Sequence, residues 1–232
     1  MGAIRPLKIS IEIDVAGVIY DPYAPIMLDS LVDWCLSPMV RKNTHKQLQR
    51  DEAPDEIKLP LGTWHIGKHW GWSASALFPV AEPGEDEIME SVQYFRKRFR
   101  RAPVHLTKGK PNTQSGPARD FNIPFVIQHP AYLVGYAVGN AKVLRSLLKR
   151  NVRYIGKKRQ RGKGRVLSIT VEPIEEDRSV VWQGQAMRWL PDDNGLRLVR
   201  LRPPYWNIVN RVKCCEIGAT YRIEANCKGE TQ

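Results

Sequence analysis

The sequence predicts an α+β protein with a ferredoxin-like core, in which the elements follow the order β-α-β-β-α-β. Three observations lead to this prediction: an alternating strand near the N-terminus, two helices with one apolar face each, and apolar strands on both sides of the second helix. In such a fold an antiparallel sheet carries both helices on one face and can leave the other face for a ligand. Many unrelated functions use this fold, so particular sites must indicate the function.

The first strand and the first helix lie within the first 40 residues. From Leu7 to Val15 apolar and polar side chains alternate, which predicts a half-buried strand. From Leu28 to Leu36 the apolar residues follow helical spacing, and Asp29 is expected to face outward near the helix start. We expect Pro38 to end this helix and residues 40–60 to form an irregular connection or a short extra helix.

Short strands and turns follow in the middle of the chain. The tryptophan- and glycine-rich stretch from Leu61 to Pro79 predicts two short strands around Gly67 or Gly71. After an acidic loop, a strand is expected from Tyr94 to Arg101, with a helix as the alternative. Residues 107–124 contain many turn-forming residues and predict a long excursion with the character of a mobile hairpin.

The second half of the core begins with a buried strand from Tyr132 to Val138. Asn140 is a suitable cap for the helix that the apolar spacing predicts from Ala141 to Arg150. A strand from Val166 to Pro173 completes the predicted core.

On this prediction the chain has two parts. Residues 1–175 form the ferredoxin-like domain, with a hairpin inserted within about residues 80–130. Residues 176–232 form a β-rich extension packed on the same core, with strands at Val180–Met187 and Leu196–Leu201.

Composition excludes several classes of protein. The 232 residues include 42% hydrophobic side chains, which is typical of a folded, soluble protein and excludes a disordered tail, collagen and a coiled-coil rod. No apolar run of 18 residues occurs and the N-terminus lacks a secretory pattern, so we expect a cytoplasmic protein without a membrane partner. The four cysteines lack CxxC spacing and are expected to be reduced and mostly buried.

The excess positive charge is local. Lys and Arg number 36 against 24 Asp and Glu, a formal net charge of +12. Residues 61–150 have a net charge of +7 and residues 151–165 a further +7, whereas residues 1–60 have −2 and residues 166–232 have none. Counterion release at a phosphate backbone requires such a concentrated field, so nucleic acid is the leading partner. A solvated basic loop and an acidic protein or membrane surface are the alternatives.

The strongest site prediction is a glycine-rich basic stretch at residues 149–165, which contains nine basic and no acidic residues. Its glycines let the backbone approach a phosphate and its cations supply charge, so the pattern predicts phosphate binding. It lacks the GxxxxGK[ST] order of a nucleotide triphosphate loop. A flexible basic hairpin is the alternative. The predicted RNA-binding residues are Gly156, Lys157, Lys158, Arg159, Arg161, Gly162, Lys163, Gly164 and Arg165.

Two further groups are candidates for contact with RNA. Trp70 and Trp72 share one strand face and could stack on unpaired bases, although core packing explains them equally well. Arg96, Arg98 and Arg100 occupy one face of the next predicted strand, where like charges repel unless an anion lies across them.

No metal or cofactor site is predicted. His65 and His69 have i,i+4 spacing, but Gly67 and Gly71 argue against the helix that such a metal pair needs, and no third ligand is evident. The motifs GxSxG and HExxH do not occur in the sequence. A single histidine, lysine or tyrosine can still act as general base on a 2′-hydroxyl, so spacing alone does not dismiss RNA cleavage.

Four sequence blocks resemble one known family. They are the strand LKISIEIDV leading through APIMLDSLVDW, the block WGWSASALFP, the run VLRSLLKRNVRYIGKKRQRGKGRV, and the late RPPYW. Together they resemble the RAMP superfamily of CRISPR-associated proteins, and more narrowly the Cas-five-type subunit of type IV effector complexes. The glycine-rich loop indicates the superfamily, whereas WSAS and PPYW indicate the type IV subunit.

The resemblance implies an RRM-like ferredoxin core that binds CRISPR RNA and holds the repeat-derived handle at the 5′ end of the guide. It implies that the loop Gly156–Arg165 contacts this RNA, and that a thumb-like hairpin contacts the adjacent backbone subunit. The thumb is placed around Lys108, Lys110 and Arg119. Backbone and large subunits of the effector complex are the implied protein partners, and contact with target DNA is left open.

The leading hypothesis is a non-catalytic RNA-binding subunit that helps to assemble a type IV CRISPR ribonucleoprotein. No histidine aligns with a catalytic set, and the resemblance implies a separate processing subunit in type IV systems. One alternative is a metal-independent RAMP endoribonuclease that processes precursor CRISPR RNA. The other is a basic RNA-binding protein of ribosomal type.

Overall fold

The computed structural model describes residues 3–40, 57–97, 121–203, 205 and 211–222. Its helices are α1 (Leu28–Val40) and α2 (Ala141–Asn151). The largest sheet within these residues consists of β1 (Ile4–Ile13), β4 (Phe78–Val80), β7 (Tyr132–Asn140) and β8 (Val166–Pro173). The other strands form two-stranded units: β2 (Thr63–Ile66) with β3 (His69–Trp72), β5 (Glu90–Lys97) with β6 (Phe121–Gln128), β9 (Val181–Trp182) with β10 (Gln185–Ala186), and β11 (Arg197–Arg200) with β12 (Arg211–Cys214).

The four-stranded sheet is antiparallel throughout and has the strand order β4-β7-β1-β8. The predicted alternation of β1 is confirmed, since Leu7, Ile9, Ile11 and Ile13 are buried while the residues between them are partly exposed. The mixed class and the antiparallel sheet predicted from the sequence are therefore confirmed.

Both helices pack against the face of the sheet that carries the buried side chains of β1. Val32 and Cys35 of α1 and Leu144 and Leu148 of α2 are at most 1% exposed and belong to the same apolar cluster as β1. Asn140 caps α2 as predicted, because its Oδ1 accepts hydrogen bonds from two backbone N–H groups of the first turn, at 3.1 and 3.2 Å. The main core thus lies between the sheet and the two helices.

Three predicted boundaries are wrong. α1 continues through Pro38 to Val40, so the proline lies in the last turn, where it disturbs only the end of the helix and not its interior. The predicted strand Val180–Met187 is a tight hairpin that turns at Gln183 and Gly184, both with positive φ. Residues 121–124, assigned above to the excursion, belong to β6.

Other predictions agree with the structure or lie outside it. The two short strands around Gly67 and the strand Val166–Pro173 are confirmed. Residues 41–56 and 98–120, which contain most of the predicted connection and the predicted thumb tip, lie outside the described residues.

A buried ion pair connects the start of α1 with the C-terminal part of the chain. The side chains of Arg188 and Asp29 are fully buried, and Nη2 of Arg188 lies 3.1 Å from Oδ2 of Asp29. The outward orientation expected for Asp29 is therefore wrong, because its charge partner comes 159 residues later in the chain. Burial raises the pKa of the Asp29 carboxyl, and the Arg188 guanidinium opposes that rise.

Further hydrogen bonds extend this ion pair into a network. The Arg188 guanidinium also donates to the backbone carbonyls of Trp72, Ala74 and Leu201. The hydroxyl of Tyr205 donates to the other carboxylate oxygen of Asp29, at 2.7 Å. The start of α1, the end of β3 with the residues that follow it, and the residue after β11 therefore meet at one guanidinium.

The described cysteines are buried thiols. Cys35, Cys214 and Cys215 are free, and burial raises the pKa of Cys35 and of Cys214 to about 12. These two thiols are therefore protonated and poorly nucleophilic at neutral pH. No helix in the described part of the chain is long and apolar enough to cross a membrane.

We expect Arg188→Met to destabilise the protein by about 3–5 kcal/mol, because the Asp29 carboxylate then stays buried without its counter-charge. Urea unfolding at pH 7 measures this change. Arg165→Met is the matched control, since it removes a guanidinium that is 62% exposed and lies 3.9 Å from the Asp14 carboxylate. We expect the control to cost about 1 kcal/mol or less. Equal losses in the two variants would contradict the role assigned to the buried pair.

Candidate nucleic-acid interface

The candidate interface is built around the glycine-rich loop Gly156–Arg165, which connects α2 to β8. The loop folds back on itself: the N–H of Ile155 donates to the carbonyl of Gly164 at 2.7 Å, and the N–H of Gly164 donates to the carbonyl of Gly17 at 2.8 Å. A Cβ on Gly164 would lie 1.8 Å from the Ile155 carbonyl oxygen, and φ is +69°. The fold of the loop itself therefore requires glycine at this position.

The other two loop glycines differ in their surroundings. Gly156 has a φ of +80°, and a Cβ there would lie 2.8 Å from Cγ2 of Val18. Gly162 has a φ of +78°, follows the one-turn 3-10 helix Arg159–Arg161, and has no atom within 4 Å of where a Cβ would lie. At Gly156 and Gly164 the missing side chain thus lets the loop backbone pack closely against other parts of the protein. At Gly162 the corresponding space is empty and could admit a ligand.

Three cations of the loop contact the segment between β1 and α1. Lys163 donates from Nζ to a backbone carbonyl of that segment at 2.9 Å. Lys157 lies 3.4 Å from Asp21 and Arg165 lies 3.9 Å from Asp14, and these basic side chains are 59% and 62% exposed. Exposed ion pairs contribute little to stability. Lys157 and Arg165 can therefore exchange a carboxylate for a phosphate at small cost.

Two other cations of the loop lie over aromatic rings of the β5–β6 hairpin. The Nζ of Lys158 is 4.9 Å from the ring centroid of Phe125, and the guanidinium of Arg161 is 5.5 Å from that of Phe95. Phe95 is 4% exposed and packs edge-on against Phe125, with centroids 5.0 Å apart. Cation–π attraction therefore holds the loop against the hairpin.

A groove of about 1060 Å³ opens along the loop. The guanidinium of Arg159 lies 5.7 Å from the ring centroid of Trp34, which comes from α1. Residues 156–160 of the loop line the groove together with Trp34, Phe125, Asn151, Arg153 and Tyr154. No acidic side chain of the described residues lines it. A flexible anion that carries flat apolar groups therefore fits this groove best.

The predicted arginine row and the predicted thumb lie only partly within the structure. Arg96 is exposed on β5, and its Nε donates to Oδ1 of Asn122 at 3.0 Å. Successive side chains of a strand point to opposite faces, so Arg96 faces away from the loop that contacts Phe95. The candidates outside the described residues are Arg98, Arg100, Lys108, Lys110 and Arg119.

The structure does not bring Trp70 and Trp72 to the loop. Trp72 is 6% exposed in the main core, and Trp70 packs edge-on against it while the guanidinium of Arg202 covers the Trp70 ring at 4.0 Å. β3 and the residues after it lie near the start of β1, because they adjoin the part of β7 that pairs with this start. The glycine-rich loop lies at the opposite end of β1, next to Ile13. The two places are about 20–25 Å apart along β1.

Sequence reasoning missed three aromatic side chains of the groove: Trp34, Phe125 and Tyr154. Trp34 is 44% exposed, and the sequence contains a signal for it, because this tryptophan lies outside the apolar stripe of a predicted helix. Phe125 and Tyr154 have no comparable signal, since their positions depend on contacts between segments that are distant in sequence.

The described histidines are not arranged as a metal site. His65 and His69 lie on the paired strands β2 and β3, and no group of three His, Cys, Asp or Glu side chains in the described ranges could hold a metal ion. Burial lowers the pKa of His69. His129 has both ring nitrogens engaged, with Nδ1 3.0 Å from the carbonyl of Val15 and Nε2 2.8 Å from Oγ of Ser91.

We expect Gly164→Ala to cost about 1–3 kcal/mol more stability than Gly162→Ala, because both positions have positive φ but only the first creates an overlap with backbone. Urea unfolding of the two variants gives this difference directly. Similar losses would show that the loop does not depend on the close contact between Ile155 and Gly164.

The chain was compared with families and with known proteins. The family model of CRISPR type IV associated protein Csf3 matches residues 5–217, a range that includes the core, the glycine-rich loop and β11–β12. No curated protein matches the sequence. The type IV CRISPR family predicted from the sequence blocks is thus confirmed, and the chain belongs to the family of CRISPR type IV associated protein Csf3.

Proposed function

We propose that this protein is a non-catalytic RNA-binding subunit of a type IV CRISPR ribonucleoprotein, and that it holds the 5′ repeat-derived handle of CRISPR RNA. The observation that carries this proposal is the groove beside the glycine-rich loop, which combines exposed cations with aromatic rings. Family membership supports the type IV context.

The charge of the loop favours a nucleic acid over a small anion. Residues 157–165 contain six basic and no acidic side chains, and the exposed pairs of Lys157 and Arg165 are easily exchanged. A chain of phosphates can engage several of these cations at once and release a counterion at each contact. The aromatic lining additionally offers surface to bases, which a simple polyanion would not use.

The proposal includes a RAMP-type core with the ferredoxin-like arrangement. Its support is the order of the strands in the sheet. The chain runs from β1 through α1 to β4, and β7 lies between these two strands in the sheet. It runs from β7 through α2 to β8, and β1 lies between those two strands. Two split β-α-β units that interleave in this way are the ferredoxin-like pattern. The β2–β3 and β5–β6 hairpins are then insertions.

We propose the β5–β6 hairpin as the base of a thumb that contacts a backbone subunit of the complex. Lys97 pairs with Phe121 at the end of this hairpin, where residues 98–120 continue the chain. The face directed away from the loop exposes Val92, Tyr94 and Val126, which are 59%, 55% and 46% exposed. Such an apolar patch on a narrow ribbon favours contact with another protein.

Replacing Lys157, Lys158, Arg159 and Arg161 together with alanine should weaken binding of repeat RNA and reduce the salt slope of log K by up to about 3, since each lost contact with a single strand removes about 0.7. Fluorescence anisotropy at several KCl concentrations measures both quantities. Alanine at Lys68, Arg211, Lys213 and Arg222 removes the same charge from exposed positions outside the groove. If both quadruple variants lose affinity equally, the loop is not the binding site.

Repeat RNA incubated with the purified protein in EDTA should stay intact, because the proposed role is binding without cleavage. Gel electrophoresis of end-labelled RNA checks this. Discrete products that disappear in His129→Ala would instead establish a metal-independent endoribonuclease. Sequencing the RNA that copurifies with the protein should give a uniform 5′ repeat fragment, and a mixed population would favour a general RNA-binding protein.

A further inference from the structure

Trp34 is a large apolar side chain that remains nearly half exposed. It is 44% exposed on α1, although its neighbours Val32 and Cys35 are buried in the main core. The core therefore needs the helix but does not need this ring. Packing in the core does not explain a half-exposed indole beside a set of cations.

The ring of Trp34 forms part of the groove, and the guanidinium of the exposed Arg159 lies over it. Arg159 is exposed, belongs to a 3-10 helix of a single turn, and forms no ion pair with a described residue. Its guanidinium lies 5.7 Å from the ring centroid. The guanidinium is therefore free to follow a ligand, while the ring is fixed by α1.

We propose that Trp34 is a stacking platform for an unpaired nucleobase, so that the groove takes single-stranded and not duplex RNA. This inference rests on the function proposed above and names the state of the nucleic acid that the groove binds. A base on the ring brings its own phosphate beside Lys157, Lys158 and Arg159, which line the same groove. Stacking and charge neutralisation are then satisfied by one nucleotide.

The spacing of the ring and the guanidinium indicates what must move. A base between them needs two stacking distances of about 3.4 Å each, which together exceed the observed 5.7 Å. Arg159 must therefore shift outward, either onto the far face of the base or onto a phosphate. Both positions keep its charge next to the RNA, and neither breaks an ion pair with a described residue.

A duplex cannot use this ring. Its bases are already stacked on one another, and proteins contact double-stranded RNA through the shape of the backbone and the 2′-hydroxyls. Stacking on an aromatic side chain is tolerant of base identity, because every base has a flat π-face. The inference therefore concerns strandedness and does not specify a base.

The test compares Trp34→Ala with Trp34→Phe and with the control Trp182→Ala in the full chain. Trp182 lies in β9, outside the groove, and has the guanidinium of Arg178 4.5 Å from its ring centroid. The control therefore removes the same ring and the same kind of cation contact elsewhere. The probes are an oligouridine of about eight nucleotides, within the usual site size, the abasic ribose-phosphate of equal length, and a duplex.

Trp34→Ala should weaken oligouridine binding by about 5- to 150-fold, which corresponds to about 1–3 kcal/mol of base–aromatic stacking. The salt slope should not change, because no phosphate contact is lost. Trp34→Ala should not change binding of the abasic probe or of the duplex, and the unmodified protein should bind the duplex more weakly than oligouridine. Trp34→Phe should retain most of the affinity for oligouridine. The Trp182→Ala control should bind oligouridine like the unmodified protein.

The outcomes separate this inference from the function on which it rests. Unchanged oligouridine affinity in Trp34→Ala overturns the stacking role while the RNA-binding function stands. Equal losses on the oligouridine and abasic probes also overturn it, because they show an effect on the backbone contacts. If the unmodified protein binds none of the probes nor repeat RNA, the proposed function itself fails.

Discussion

The relative positions of the chain segments depend on the buried guanidinium of Arg188. A charge removed from water destabilises a fold unless acceptors surround it. Arg188 finds these acceptors at the start of α1, at the end of β3 and just beyond it, and after β11, which are far apart in the sequence. All three segments must meet to supply these acceptors. Arg188 therefore acts together with the apolar cluster that joins Trp64 to Trp189 and Leu201 in positioning the C-terminal part of the chain on the core.

The same network gives a physical meaning to three of the sequence blocks on which the resemblance to the family is based. Asp29 belongs to LDSLVDW, Trp72 and Ala74 to WGWSAS, and Tyr205 to RPPYW. These blocks contact one another through Arg188, whereas the loop that carries the charge lies elsewhere. The network also positions the groove, because Asp29 and Trp34 lie on one helix, about 7.5 Å apart along its axis.

Features with a local pattern could be predicted from the sequence, and features set by distant contacts could not. The cap at Asn140 follows from neighbouring residues, whereas the inward position of Asp29 depends on a partner 159 residues away. The turn at Gln183 interrupts a strand-like pattern because a residue other than glycine adopts positive φ. In the candidate site the sequence located the basic loop, but the role of Gly164 and the place of Trp34 depend on how the loop and α1 pack.

Lys158 takes part in two interactions at once, because it lines the groove and lies over Phe125 of the hairpin. A phosphate in the groove competes with the Phe125 ring for the Lys158 ammonium. A partner that repositions the hairpin changes the strength of the cation–π contact between Lys158 and Phe125, and so changes the affinity for the phosphate. Thermodynamic linkage requires the two effects to be equal and reciprocal. An exposed cation–π contact of about 0.5–1 kcal/mol sets their size, roughly a two- to fivefold change in affinity. In the proposed complex, guide loading and subunit docking are thus energetically coupled through one lysine.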